Sequence, residues 1–238
     1  MSFSETVYRV AALASELWRH QSGWILLTAG LYGFSYLFPY DVANVIILFA
    51  SLVQMALYVY WMKAGAKGGF TAESFAKVEL DWLGNVGISL GIGLPFAVAF
   101  GLSAVLLALG PLGWLIVGFV WFGLLVLLEL YSPPVAIHAR GFREAWSETV
   151  SLLRRMEKRQ ALTSSAFWYP ALLGLAVSFL ELFINPSGGL SAAIVGFALA
   201  AFQLAWYTAA QLVLYENVWA EDADSEVPMT GPAGEADV

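Results

Sequence analysis

Apolar residues come in long blocks separated by short Pro, Gly and charged interruptions, rather than in the strict alternation of half-buried strands. Six blocks stand out: Trp24 to Pro39, Val42 to Met62, Gly84 to Leu109, Leu112 to Leu130, Ala161 to Ile184 and Leu190 to Val218. About twenty helical residues cover the ~30 Å apolar thickness of a bilayer, so blocks of this length suit spanning helices. The first block is short, rising only about 24 Å as a helix, and is expected to extend into the preceding helix or to tilt little. The phrases "PYD", "GP" and "NPSGG" follow blocks one, three and five, and their turn residues close tight hairpins. The pattern predicts an all-α polytopic membrane protein, with six transmembrane helices arranged as three hairpins.

Between the blocks the period changes. Phe142, Trp146, Val150, Leu153 and Met156 recur at helical spacing with charged residues interleaved, which predicts an amphipathic helix. Pro133 and Pro134 are expected to end the fourth span before it, because proline removes a backbone donor and crowds the preceding turn. Phe3, Val7, Val10, Leu13 and Leu17 predict a second surface helix, with Ser2 and Glu5 as its capping box. Phe75, Val78 and Trp82 predict a third, capped by Thr71. The chain then divides into an N-terminal amphipathic segment at 1–22, a six-helix transmembrane domain at 23–218 with interfacial helices near 71–83 and 142–159, and an acidic tail at 219–238. The tail has few bulky apolar residues and is expected to be disordered.

Charge adds topology. The net charge is −7, and the acidic tail dominates it. Arg9 and Arg19 precede span one; Lys63, Lys67 and Lys77 follow span two; Arg140, Arg143, Arg154, Arg155, Lys158 and Arg159 follow span four. All of them fall on one side of a six-span chain, and the tight turns opposite carry none. The positive-inside rule then puts both termini and the long connections in the cytoplasm, and the protein in the cell membrane. Apolar residues make up 60% of the chain, more surface than a soluble domain can bury, so the bilayer is the implied partner. The absence of cysteine excludes disulfides and thiolate chemistry.

The stretch "YSPPVAIHARGFREAWSETVSLLRRMEKRQALTSSAFWYPALLGL", Tyr131 to Leu175, resembles a group of prokaryotic six-span integral membrane proteins. The group includes the membrane domain attached to some glycerophosphodiester phosphodiesterases and related uncharacterised archaeal and bacterial families. Pro133, Pro134, Gly141, Glu144, Ala145, Ser147, Arg154 and Arg155 carry the likeness. It implies a six-span architecture; with no phosphodiesterase domain in the chain, it implies no such chemistry.

Candidate chemistry is sparse. His20 and His138 stand alone near the boundary, and "GNVGISLGIG" lacks the Lys-Ser/Thr ending of a P-loop. Glu129 and Glu181 are placed near opposite span ends, within reach of water or headgroups. Two polar stripes have helical spacing: Ser51, Gln54 and Tyr58 in span two, and Gln203, Tyr207 and Gln211 in span six. They either line a polar pathway or join spans by hydrogen bonds. Gly87 with Gly91, Gly196 with Ala200, and Ala201, Ala205 and Ala209 read as close-contact faces. Pro95 and Pro170 mark possible helix breaks in spans three and five. Arg140, Arg143, Arg154, Arg155, Lys158 and Arg159 are candidate contacts to anionic lipid. These features predict a non-enzymatic membrane-organising or complex-forming protein without cofactor or nucleic acid, associated with a membrane partner or with itself. The alternative is a transporter or channel for a small solute or lipid.

Overall fold

The computed structural model describes residues 1–156, 162–164, 167–169, 172, 176 and 189–220. Most of the fifth block, including Pro170 and Glu181, lies outside the described residues, as do Lys158, Arg159, all but the last glycine of the "NPSGG" turn and the tail from Glu221. Among the described residues the fold is helical and has no strand.

Helix α1 runs from Phe3–Ser35 and is capped as its first residues dictate: Glu5 N donates to Ser2 Oγ at 3.3 Å, and Ser2 N donates to Glu5 Oε2 at 2.6 Å. The amphipathic segment at 1–22 and the first apolar block are therefore one helix. It is kinked at Gln21 (φ −128°, ψ 16°) and stops at Ser35, short of the expected Pro39. Its first half does not merely lie on a surface, since Val10, Leu13, Ala14 and Leu17 are buried in the core.

Helix α2 (Tyr40–Gly65) follows the Pro39 turn. Thr71 caps α3, but α3 is only Ala72–Ala76. The expected helix over 71–83 is thus split, because the Asp81 carboxylate caps a new helix, accepting from Gly84 N at 2.9 Å. That helix, α4 (Trp82–Ser103), keeps Pro95 within it and continues as a 3₁₀ turn over Ala104–Leu109. Gly110 at φ 66° then reverses the chain, and Pro111 opens α5 (Pro111–His138).

Helix α5 corrects the expected break at its prolines. Pro133 and Pro134 leave the Glu129 and Leu130 carbonyls without their usual N–H donors, yet the helix runs on to His138. One lost donor is replaced from outside: the Trp219 indole donates to the Leu130 carbonyl at 3.2 Å. Burial of every residue from Leu130 to Ala136 holds this stretch in place.

Helix α6 covers Phe142–Arg155, ending before the expected 159 where Met156 turns left-handed (φ 51°). Its protein-facing stripe is Ala145, Thr149 and Leu152, not the expected Phe142 series; Phe142 and Met156 are each 44% exposed. Small residues win this face because α6 crosses α4 at Gly91, where a Cβ would stand 2.6 Å from the Phe142 carbonyl oxygen. The chain closes with α7 (Gly189–Phe202), a π-helical turn over Gln203–Tyr207 and α8 (Thr208–Val218), one continuous rod.

Four helices are long and apolar enough to cross a membrane: Tyr40–Gly65, Trp82–Leu109, Pro111–His138 and Gly189–Val218. In α5 only 11% of the most apolar window is buried, and Trp114, Leu115 and Phe119 point outward. Apolar surface on that scale needs a non-aqueous solvent. The core lies where α1, α2, α4, α5 and the last rod meet, around Trp61, Tyr131, Ile88 and Leu212. Close approach there uses the small residues: Gly33 abuts the Ala193 carbonyl of α7, Gly196 abuts the Tyr36 ring, and Ala201, Ala205 and Ala209 are buried.

Candidate functional site

The polar stripes of α2 and the last rod face one another across a gap. Between them lies a partly open cavity of about 340 Å³, at the small end of the roughly 300–1,000 Å³ range of ligand pockets. Ser51, Gln54 and Tyr58 border it from α2, and Gln203 and Tyr207 from the π-turn. Helix α1 adds Tyr32, α4 adds Ser89, and α5 adds Leu128 and Ser132. Gln211, the sixth residue of the two stripes, stands behind this lining. The π-turn accommodates one extra residue in the helical register at this point, a feature frequent at functional sites.

Hydrogen bonds tie the lining together at three corners. Tyr32 Oη donates to Gln54 Oε1 at 2.8 Å and lies 3.0 Å from Ser51 Oγ. Tyr58 Oη lies 3.3 Å from Ser132 Oγ, linking α2 to α5. At the third corner, Tyr207 Oη and Gln211 Nε2 both donate to Glu129 Oε2, and Gln211 Nε2 also donates to Tyr207 Oη at 3.0 Å. Ser89 Oγ donates to the Met55 carbonyl at 2.9 Å.

Glu129 is therefore not the boundary residue the sequence suggests. Because α5 continues through its prolines, the carboxylate sits more than two turns inside the helix. Among the described residues no cation pairs with it, and no donor reaches its second oxygen. The buried Gln211 Oε1 beside it has no hydrogen-bond partner. A second cavity of about 210 Å³ lies beyond the first, bordered by Tyr36, Gly196 and Leu199. Tyr32, Gln54 and Gln203 line both cavities.

Family models, curated proteins and solved structures give no match to this chain.

The remaining candidates lie apart from the cavity. His20 is exposed, and His138 Nε2 lies 3.0 Å from Tyr215 Oη. Arg140, Arg143, Arg154 and Arg155 are exposed on and beside α6. Among the described residues, no group of three His, Asp or Glu side chains converges to hold a metal. Sequence reasoning missed Tyr32, Trp61, Ser89 and Ser132, which are single polar or aromatic residues within apolar blocks. Ser132 had one signal: it precedes two prolines, where the helix has freed carbonyls to satisfy.

Proposed function

We propose that this protein is a non-enzymatic, six-span protein of the cell membrane that binds a small polar solute between its helices and passes it across. One observation carries the reading: two polar stripes converge on a cavity that shares Tyr32, Gln54 and Gln203 with a second cavity. Side chains that merely joined helices would close on one another; here they leave room at the low end of ligand size. Two adjoining cavities that share lining residues suit a solute path between the helices. The segregated basic residues support both termini and the long connections lying in the cytoplasm. The six-span group that the Tyr131 to Leu175 stretch resembles is consistent with this plan.

The test is flux. Vesicles containing the protein should shrink and re-swell faster than protein-free vesicles when challenged with small polar solutes such as urea, glycerol or methylammonium chloride. Gln203→Leu, which places an apolar side chain in the shared wall, should return the rate towards the protein-free value. If no solute enters faster than the vesicle background, the transport reading is wrong.

The membrane-organising reading has its own support in α6, where exposed Phe142 and Met156 accompany exposed Arg143, Arg154 and Arg155. Apolar and basic groups together on one surface helix suit an anionic leaflet, each well-placed cation contributing about 1 kcal/mol. A loss of vesicle clustering or of co-purified anionic lipid on replacing these arginines with Gln would be its signature.

A further inference from the structure

Three features of the larger cavity point to the charge of its occupant. First, among the described residues that border it, none is Lys, Arg or His. Secondly, a carboxyl group adjoins the wall: Glu129 accepts a hydrogen bond from the lining residue Tyr207 and follows the lining residue Leu128 in sequence. Thirdly, the wall is rich in aromatic rings, from Tyr32, Tyr58, Trp61 and Tyr207. The polar ends of these rings are already engaged. The Tyr32, Tyr58 and Tyr207 hydroxyls are tied to Gln54, Ser132 and Glu129, and the Trp61 indole donates to Gln21 Oε1 at 3.3 Å. What remains for a solute is ring surface beside a buried carboxyl group, together with the amides of Gln203 and Gln54.

That combination is the recognition chemistry of a weakly hydrated cation. An anion would meet no cationic group among the described residues of the wall. An inorganic cation would need several oxygen ligands directed at one point, whereas an alkylammonium group needs only aromatic surface and a counter-charge.

We propose that this cavity takes an alkylammonium group, with Glu129 as its counter-charge and the Tyr32, Tyr58, Trp61 and Tyr207 rings as its walls. This rests on the reading of the cavity as a solute site and names the solute class. The partly open wall admits two sources of the same chemistry: a free small amine, or the ammonium headgroup of a membrane lipid.

The experiment is calorimetric titration of the full chain in maltoside detergent with tetramethylammonium chloride, beside tert-butanol, a neutral probe of similar size. A unit charge a few ångström from a carboxylate at intermediate dielectric gains on the order of a hundredfold in binding. Tetramethylammonium should therefore bind saturably and at least tenfold more tightly than tert-butanol, and E129Q, which keeps an acceptor for Tyr207 and Gln211, should erase that preference. If E129Q does not fold, the charged-against-neutral comparison on the unaltered chain still decides the matter. Short-chain phosphatidylcholine that displaces the probe, where phosphatidylglycerol does not, assigns the site to a headgroup; no displacement assigns it to a free amine. Equal binding of the two probes, or an unchanged preference in E129Q, overturns the cation while leaving a solute cavity. Binding of neither probe also overturns it, and the vesicle flux then decides separately whether the solute reading stands.

Discussion

Replacing Gly91 by Ala isolates the contact that seats α6 on the bundle. A Cβ at position 91 would lie 2.6 Å from the Phe142 carbonyl oxygen, 2.7 Å from Ala145 Cβ and 3.0 Å from the Trp146 nitrogen. Carbon atoms in comfortable contact lie about 3.5–4.0 Å apart, so α6 has to retreat by roughly 1 Å. Two of the three obstructing atoms belong to backbone and cannot swing aside, so the cost falls within the roughly 1–3 kcal/mol of an overpacked core. Against it stands a gain of about 0.5–1 kcal/mol from replacing glycine inside a helix. Gly101 in the same helix supplies the control, because a Cβ there meets nothing within 4 Å. Gly101→Ala should stabilise by the propensity gain alone. The two variants should thus differ by about 1–3 kcal/mol, with Gly91→Ala the less stable. Reversible unfolding in mixed detergent and dodecyl sulfate micelles, followed by far-ultraviolet circular dichroism, reads that difference. Equal shifts in the two variants would refute the close crossing of α4 and α6.

Two further predictions follow from single side chains. Trp219→Phe removes the donor that serves the Leu130 carbonyl beside Pro134; it should cost about 1–3 kcal/mol in the same unfolding assay, and no change would mean that the carbonyl is satisfied elsewhere. Burial first, and then the nearby Glu144 charge, hold the Glu148 carboxyl above its ordinary range. The folded chain therefore binds that proton more tightly than the unfolded chain, so the cost of ionising it is absent below the unfolded pKa of about 4.3 and fully present above the raised folded value. Glu148→Gln should raise the melting temperature at pH 7.5 and leave it unchanged at pH 4; the same shift at both pH values would contradict the assignment.

What the sequence makes legible here is what depends on neighbours along the chain. The Ser2 and Glu5 box, the Thr71 cap, the Gly110–Pro111 reversal and the polar stripes at three- and four-residue spacing each follow from local geometry. What it hides is set by neighbours in space. Pro133 and Pro134 read as a break because a proline's cost is local, whereas the donor that offsets it comes from Trp219, 85 residues beyond Pro134. Once α5 runs through them, Glu129 moves from an apparent boundary to the interior. On α6 the large apolar residues dominate the periodicity, yet Gly91 admits only the small-residue stripe. Tyr32, Ser89 and Ser132 join the site because five segments converge there, and no single helix announces that.

A solute site between the helices requires that water reach the cavity. The chain has no cysteine, so one introduced thiol reports alone. Ser89→Cys and Gln203→Cys should react with a trimethylammonium methanethiosulfonate reagent that cannot dissolve in lipid, and tetramethylammonium should slow the reaction; Leu115→Cys, on the outward face of α5, should stay unlabelled. If both cavity thiols prove as inert as the one at 115, the space between the stripes is dry and the solute site does not exist.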